Sequence, residues 1–281
     1  MKKTIILLLV FLCSFNVFSQ NFLNDSNINF NDLLKQYNRN SLSLTTLFDN
    51  YLFRALMGDK DLLDYRMDIF SLAQMDNNCL RLLRNMIYAR HGLRFSSQDL
   101  TGYFSKFSWY NARSGNVDRQ LTETDKYNIA LLQAFEQRNE NQSTINWGNN
   151  RVGIWQDYQM VASGYSNRFV IYSNNRMEFY ATQMDGLKLL LNLTGTYSIK
   201  GNILEFQVNQ IQYTIPGNDV EYNGMMGFEW LNAKTNTISL SAPIILQFPV
   251  TNITTRNDSA YPIITIGGID HYRILDNVNA R

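Results

Sequence analysis

Asn139-Glu140-Asn141-Gln142-Ser143 is the stretch at which the chain changes its hydrophobic period. Before it, from Asn31 to Arg138, apolar residues recur at helical spacing, β-branched residues are few and proline is absent. After it come short alternating runs: Arg168-Phe-Val-Ile-Tyr172, Arg176-Met-Glu-Phe-Tyr180, Thr196-Tyr-Ser-Ile199, Ile203-Leu-Glu-Phe-Gln-Val208 and His271-Tyr-Arg-Ile-Leu275. Turn signals such as Ser173-Asn174-Asn175 and Lys200-Gly201-Asn202 separate them, and all 4 prolines lie in this half. The fold class expected is therefore α+β in two domains, an N-terminal helical bundle and a C-terminal antiparallel β-barrel or sheet. The boundaries expected are a helical domain over 20–138, a linker over 139–150 and a β domain over 151–278.

Outward from that switch, the N-terminus reads as a secretory signal over 1–19. Lys2-Lys3 precede the apolar run Ile5–Phe11, and Val17-Phe18-Ser19 supplies small residues for cleavage. The run is too short to span a bilayer, and no transmembrane segment is expected after cleavage. A lipid anchor on Cys13 is set aside because Phe11-Leu12 stand where such a site wants a small residue. Cys79 then remains as the single cysteine of the mature chain, which excludes an intrachain disulfide. The expected location is periplasmic, on the outer surface or secreted. Lys plus Arg number 25 against 24 Asp plus Glu, with no long block of either sign, so neither nucleic acid nor an anionic membrane is implied as partner.

In the helical half, Asp76-Asn77-Asn78 can cap a helix over Cys79–His91, and Gly92 stands just past its end as a left-handed stop. Ser96 with Asp99 predicts a capped helix through Thr101 to Phe107, and Thr122 with Asp125 repeats the device for Lys126–Gln137. Residues 31–75 are too apolar for a linker and predict two or three further helices. The words Arg84-Asn85, Tyr88-Ala89-Arg90-His91-Gly92, Phe95, Asp99-Leu100, Tyr103-Phe104, Trp109-Tyr110, Leu121 and Asn128 closely resemble the YARHG domain over 79–136. That resemblance implies a small module of exported bacterial proteins with a cell-surface or cell-wall role and no established activity.

At about 100° per residue, Cys79, Leu82, Leu83 and Met86 share an arc with Arg90 in its middle. A buried guanidinium needs a carboxylate, and Asp99, Asp125 and Glu136 are the candidates. Arg84, Tyr88 and His91 fall on the adjacent polar arc. Two readings stand for Arg84, Asn85, Tyr88, Arg90, His91, Gly92, Trp109, Tyr110 and Asn128: a functional face, with His91, Tyr88 and Arg84 recognising a sugar or peptide or His91 acting as a general base, or a structural clasp in which Arg90 is paired internally, Asn85 and Asn128 bond helix ends and His91 helps to terminate its helix. The clasp is preferred, because a small module with little core needs such devices. Trp109-Tyr110 must pack or bind a partner.

In the β half, Gly153-Ile154-Trp155 opens the region and Arg273 lies in its last strand, which resembles lipocalin-like barrels. That resemblance implies an indole across a closed end with the arginine stacked on it. Strand alternation places Phe169, Ile171, Met177 and Phe179 on one face and Val170, Tyr172, Glu178 and Tyr180 on the other. A filled interior is preferred to a ligand cavity. Residues 219–230 fit no regular strand. With His91 and His271 the only histidines and one mature cysteine, neither a zinc site nor a Ser/His/Asp constellation is expected, and no nucleotide-binding glycine pattern occurs. The expectation is a non-enzymatic envelope protein without cofactor or metal, its partner a cell-wall component or envelope protein. The alternative is a periplasmic carrier of a small hydrophobic ligand.

Overall fold

A computed structural model describes residues 51–159, 163–217, 219–224, 227–256 and 259–275. The signal segment, Cys13 and the helical pattern of residues 31–50 lie outside the described residues. The helical half contains α1 (Tyr51–Leu56), α2 (Ile69–Ala73), α3 (Asn77–Arg90), α4 (Gln98–Phe104) and α5 (Glu123–Glu136). Among the described residues no helix is long and apolar enough to cross a membrane.

Local chemistry fixes the ends of the two long helices. The Asp76 carboxylate accepts from the Cys79 N–H at 2.8 Å, so α3 starts two residues before the expected position. Its far end is a Schellman turn: Gly92 N–H donates to Ala89 O at 2.8 Å, and Leu93 N–H to Tyr88 O at 3.2 Å. Gly92 has φ +86°, and a Cβ there would meet the Asn111 carbonyl at 2.9 Å, so only glycine fits. The reciprocal capping box of Thr122 and Asp125 opens α5 as expected. The box expected at Ser96 does not form. Ser97 is the cap residue and makes no side-chain cap bond, its hydroxyl turning to Asp99, and α4 ends at Phe104.

The β half is an antiparallel sheet of eight strands in the order β8-β5-β4-β3-β2-β1-β10-β9. These are β1 (Gly153–Gln156), β2 (Arg168–Ile171), β3 (Arg176–Tyr180), β4 (Leu190–Lys200), β5 (Ile203–Ile215), β8 (Lys234–Pro249), β9 (Ile263–Ile266) and β10 (Ile269–Leu275). The barrel alternative is corrected: the sheet curls but stays open. Its edges meet at one corner, where Val250 bridges Ile266 and Gly267 N–H donates to Pro249 O at 2.9 Å. The four residues of β9 cannot pair along the 16 of β8, so the other end remains splayed. Residues 219–230, expected to be irregular, form a separate hairpin of β6 (Asp219–Asn223) and β7 (Gly227–Leu231).

The inner face carries Phe169, Ile171, Met177 and Phe179 as the alternation predicts, all buried. Helix α2 inserts Phe70 among them, its ring centroid 4.5 Å from Phe179 and 5.7 Å from Phe248. One hydrophobic cluster thereby runs from Leu52 through Phe70 and Phe135 to Ile266, across both halves. The polar stretch at the switch is itself docked on the turn between β4 and β5. Asn139 N–H donates to Asn202 Oδ1 at 2.6 Å and Ile145 N–H to Gly201 O at 2.9 Å. Gly201 has φ +60°, and any Cβ would run into the Asn139 carbonyl. Trp147 is buried and donates to Thr251 O at 2.8 Å.

Candidate functional site

Helices α3 and α5 lie side by side, and their charged residues meet in pairs. Arg84 clamps Glu136 through two bonds of 2.7 and 3.0 Å. Arg81 takes Asp99 at 2.7 Å near the surface. Arg90, its side chain 9% exposed, donates to the fully buried Asp125, to Asp64 at 2.6 Å and to Lys60 O at 3.4 Å. Of the three carboxylates foreseen for Arg90, one is its partner and the other two serve neighbouring arginines.

Asp125 is the hub. Its Oδ2 accepts the Thr122 N–H at 2.8 Å and hydroxyl at 2.9 Å, and faces His91 Nε2 at 3.0 Å. Burial pushes this carboxyl up, but the Thr122 donors and the Arg90 guanidinium outweigh it and hold the group below its ordinary value. The polar arc of Arg84 and His91 thus turns toward α5, where both side chains have carboxylate partners.

The remaining motif residues fasten chain segments. Asn128, fully buried, accepts from Met67 N–H at 2.9 Å and donates to Tyr65 O at 2.9 Å and Leu63 O at 3.4 Å. Asn85 donates to Arg81 O at 2.8 Å within its own helix, not to a helix end as expected. Trp109 stacks on Phe107 and donates from Nε1 to Gly58 O at 2.9 Å, while the Tyr110 hydroxyl donates to Leu93 O at 2.8 Å. Tyr88 is half-buried against the core, and burial raises its phenol. The aromatic pair is therefore packed, not presented.

Residues 57–137 match the YARHG domain. No curated protein and no solved structure matches the chain. The match begins well before the motif words, and the geometry says why: residues 57–67 supply Gly58 to Trp109, Lys60 and Asp64 to Arg90, and Leu63, Tyr65 and Met67 to Asn128. Without them the YARHG domain would leave its buried arginine and asparagine short of partners.

Sequence reasoning missed Asp64, whose position in an ordinary charged turn gave no signal. It also missed Arg138, the last residue before the switch. Arg138 follows α5 and donates to Met75 O at 2.6 Å, Gln247 O at 2.9 Å and Phe135 O at 3.0 Å, tying the YARHG domain to β8. Burial pulls its guanidinium down to about 10.

In the sheet, Trp155 is fully buried and pairs in register with Arg273, whose guanidinium carbon lies 5.7 Å from the indole centroid. Trp155 donates to Arg151 O at 2.8 Å and Arg273 to Asn150 O at 2.9 Å. The expected stacking of Arg273 on Trp155 is present, although the sheet is open and not a barrel. On the outer face the Glu178 carboxylate gathers the hydroxyls of Tyr172 at 2.9 Å and Tyr180 at 2.8 Å together with Arg176.

The splayed end of the sheet leaves a cavity of about 570 Å³ under α2. Phe70, Phe179, Tyr127, Asp157, Lys188 and His271 are among its walls. His271 is 2% exposed, its ring edge-on to Phe169, and Nδ1 lies 2.8 Å from Ile269 O. A carbonyl can only accept, so Nδ1 carries the proton and Nε2 is the acceptor of a neutral ring. Burial lowers the imidazole from its usual range against the opposing pull of Asp157 and Asp270. Among the described residues no group of three or more His, Cys, Asp or Glu is placed to hold a metal ion.

Proposed function

We propose that this is an exported protein of the bacterial cell envelope that works by binding or scaffolding at the wall or surface, with the YARHG domain as its rigid platform. The observation that carries the reading is the Arg90–Asp125–His91 cluster. Arg90 and His91 of the motif are both held on the buried Asp125 and Arg84 on Glu136, which supports a clasp that fixes α3 on α5. Co-sedimentation of the mature chain with purified sacculi tests it: retention in the pellet is expected, and a chain left in the supernatant at low and moderate salt would overturn it. N-terminal sequencing of the exported protein is expected to begin at Gln20; a retained Met1 would remove the secretory reading.

A second reading is favoured by the cavity under α2. In it the protein carries a small, largely apolar ligand, held between the YARHG domain and the sheet instead of inside a closed barrel. Native mass spectrometry of protein purified gently from its own envelope is expected to show a defined added mass, and a bare chain would count against carriage.

A further inference from the structure

We infer that the cavity under α2 takes a small organic cation with an apolar body, of the aryl-alkyl or alkyl amine class. The inference rests on the carrier reading and names the chemistry of its ligand. Five strand ends converge at this side of the sheet, those of β1, β2, β3, β4 and β10, and α2 with Tyr127 of α5 closes it from above. The deep wall is apolar, with Phe70, Phe179 and Ile269, and a volume of about 570 Å³ falls within the ordinary range of small-molecule sites.

The charged groups around that wall are mostly carboxylates. Asp68, Asp157 and Asp185 contribute three carboxylates against one ammonium, and Lys188 already donates to the Asp185 backbone carbonyl at 2.8 Å. Asp157 is held in place by the Ser166 hydroxyl and by Asn167 Nδ2 at 2.9 Å, so its carboxylate is pre-oriented. His271 adds a neutral acceptor, since its single proton is spent on Ile269 O. Asp68 also accepts from the Ser71 N–H and hydroxyl, and Asp185 from the Leu187 N–H at 3.0 Å, so it is their net negative charge that an apolar ligand would desolvate without compensation and an anion would meet as repulsion. An ammonium on an apolar body suits both parts of the lining, and the Tyr127 ring already holds one cation, Arg66, 4.6 Å from its centroid.

Titration calorimetry of the full mature chain with 4-phenylbutylamine, 4-phenylbutanol and 4-phenylbutyrate tests this with one body and three head groups. The amine is expected to bind about tenfold tighter than the alcohol, with the carboxylate weakest. Asp157→Asn is expected to remove roughly that tenfold from the amine alone. Asp185→Asn at the exposed rim makes the same test should Asp157→Asn lower the melting temperature. Ala181→Trp, which fills the cavity, is expected to weaken all three probes with the melting temperature kept. Equal or tighter binding of the alcohol or carboxylate would overturn the amine assignment and leave carriage standing. Absence of binding by all three would overturn both.

Discussion

Arg90 is held between Asp125 and Asp64 in a site its own helix half encloses. Arg90→Ala would leave Oδ1 of the fully buried Asp125 without its partner, and is expected to cost about 3–5 kcal/mol, read from urea midpoints. An unchanged midpoint would refute the clasp. The Asp125 carboxyl is depressed in the fold, so its stabilisation is present above the ordinary carboxylate range and is lost as pH falls through its folded value. His271 works with the same sign for a different reason. Its folded value is lowered by burial, so the unfolded chain binds the proton first, and stability falls as pH drops below about 6.5. Urea titrations at pH 7 and pH 5 are expected to show that loss, and His271→Gln to reduce it. Arg90's burial was legible, because one arc of α3 predicts it. Its partners were legible only in part: Asp125 stood among three candidates, and Asp64 was outside the segment the motif words cover.

At the scale of elements, the ends of α3 and α5 were readable because caps act within three residues of one another. Thr122→Ala is expected to cost about 1 kcal/mol as a lost cap. Asn128→Ala is expected to cost about 1–3 kcal/mol, since it frees the buried Met67 N–H and two carbonyls; thermal melts check both. The faces of β2 and β3 were equally plain from strand alternation, although Val170 and Glu178 on the second face are buried as well. The hairpin of β6 and β7 was not. Val220 and Tyr222 alternate, but Tyr222 is 69% and the facing Phe228 57% exposed, so the pattern marks no core. At α4, adjacent serines offered two starts, and Arg81's hold on Asp99 lies outside any local rule.

At the scale of the whole molecule, Phe70 and Arg138 join what the sequence divides. Phe70 packs against Phe169, Phe179 and Phe248, and Arg138 bonds carbonyls on either side of the switch. With one core through both halves, calorimetry is expected to give a single transition with equal calorimetric and van't Hoff enthalpies, and Phe70→Ala to lower it by about 3–5 kcal/mol without splitting it. Two transitions in the unaltered chain would mean that the halves fold separately. The sequence by itself determined the α+β class, the switch at Asn139–Ser143, the stops and caps of the long helices, the burial of Arg90 and the pairing of Trp155 with Arg273. Those follow from periods and from contacts a few residues apart, except the last, which is what the resemblance to lipocalin-like barrels implied. Tertiary structure alone decided which carboxylate meets which arginine, that the sheet stays open, that Phe70 enters it and that a cavity remains beside His271. These depend on partners 26 and 35 residues away for Arg90 and 109 for Arg138, where no local period reaches and only the packing of helix on helix, or of one half on the other, selects the contact.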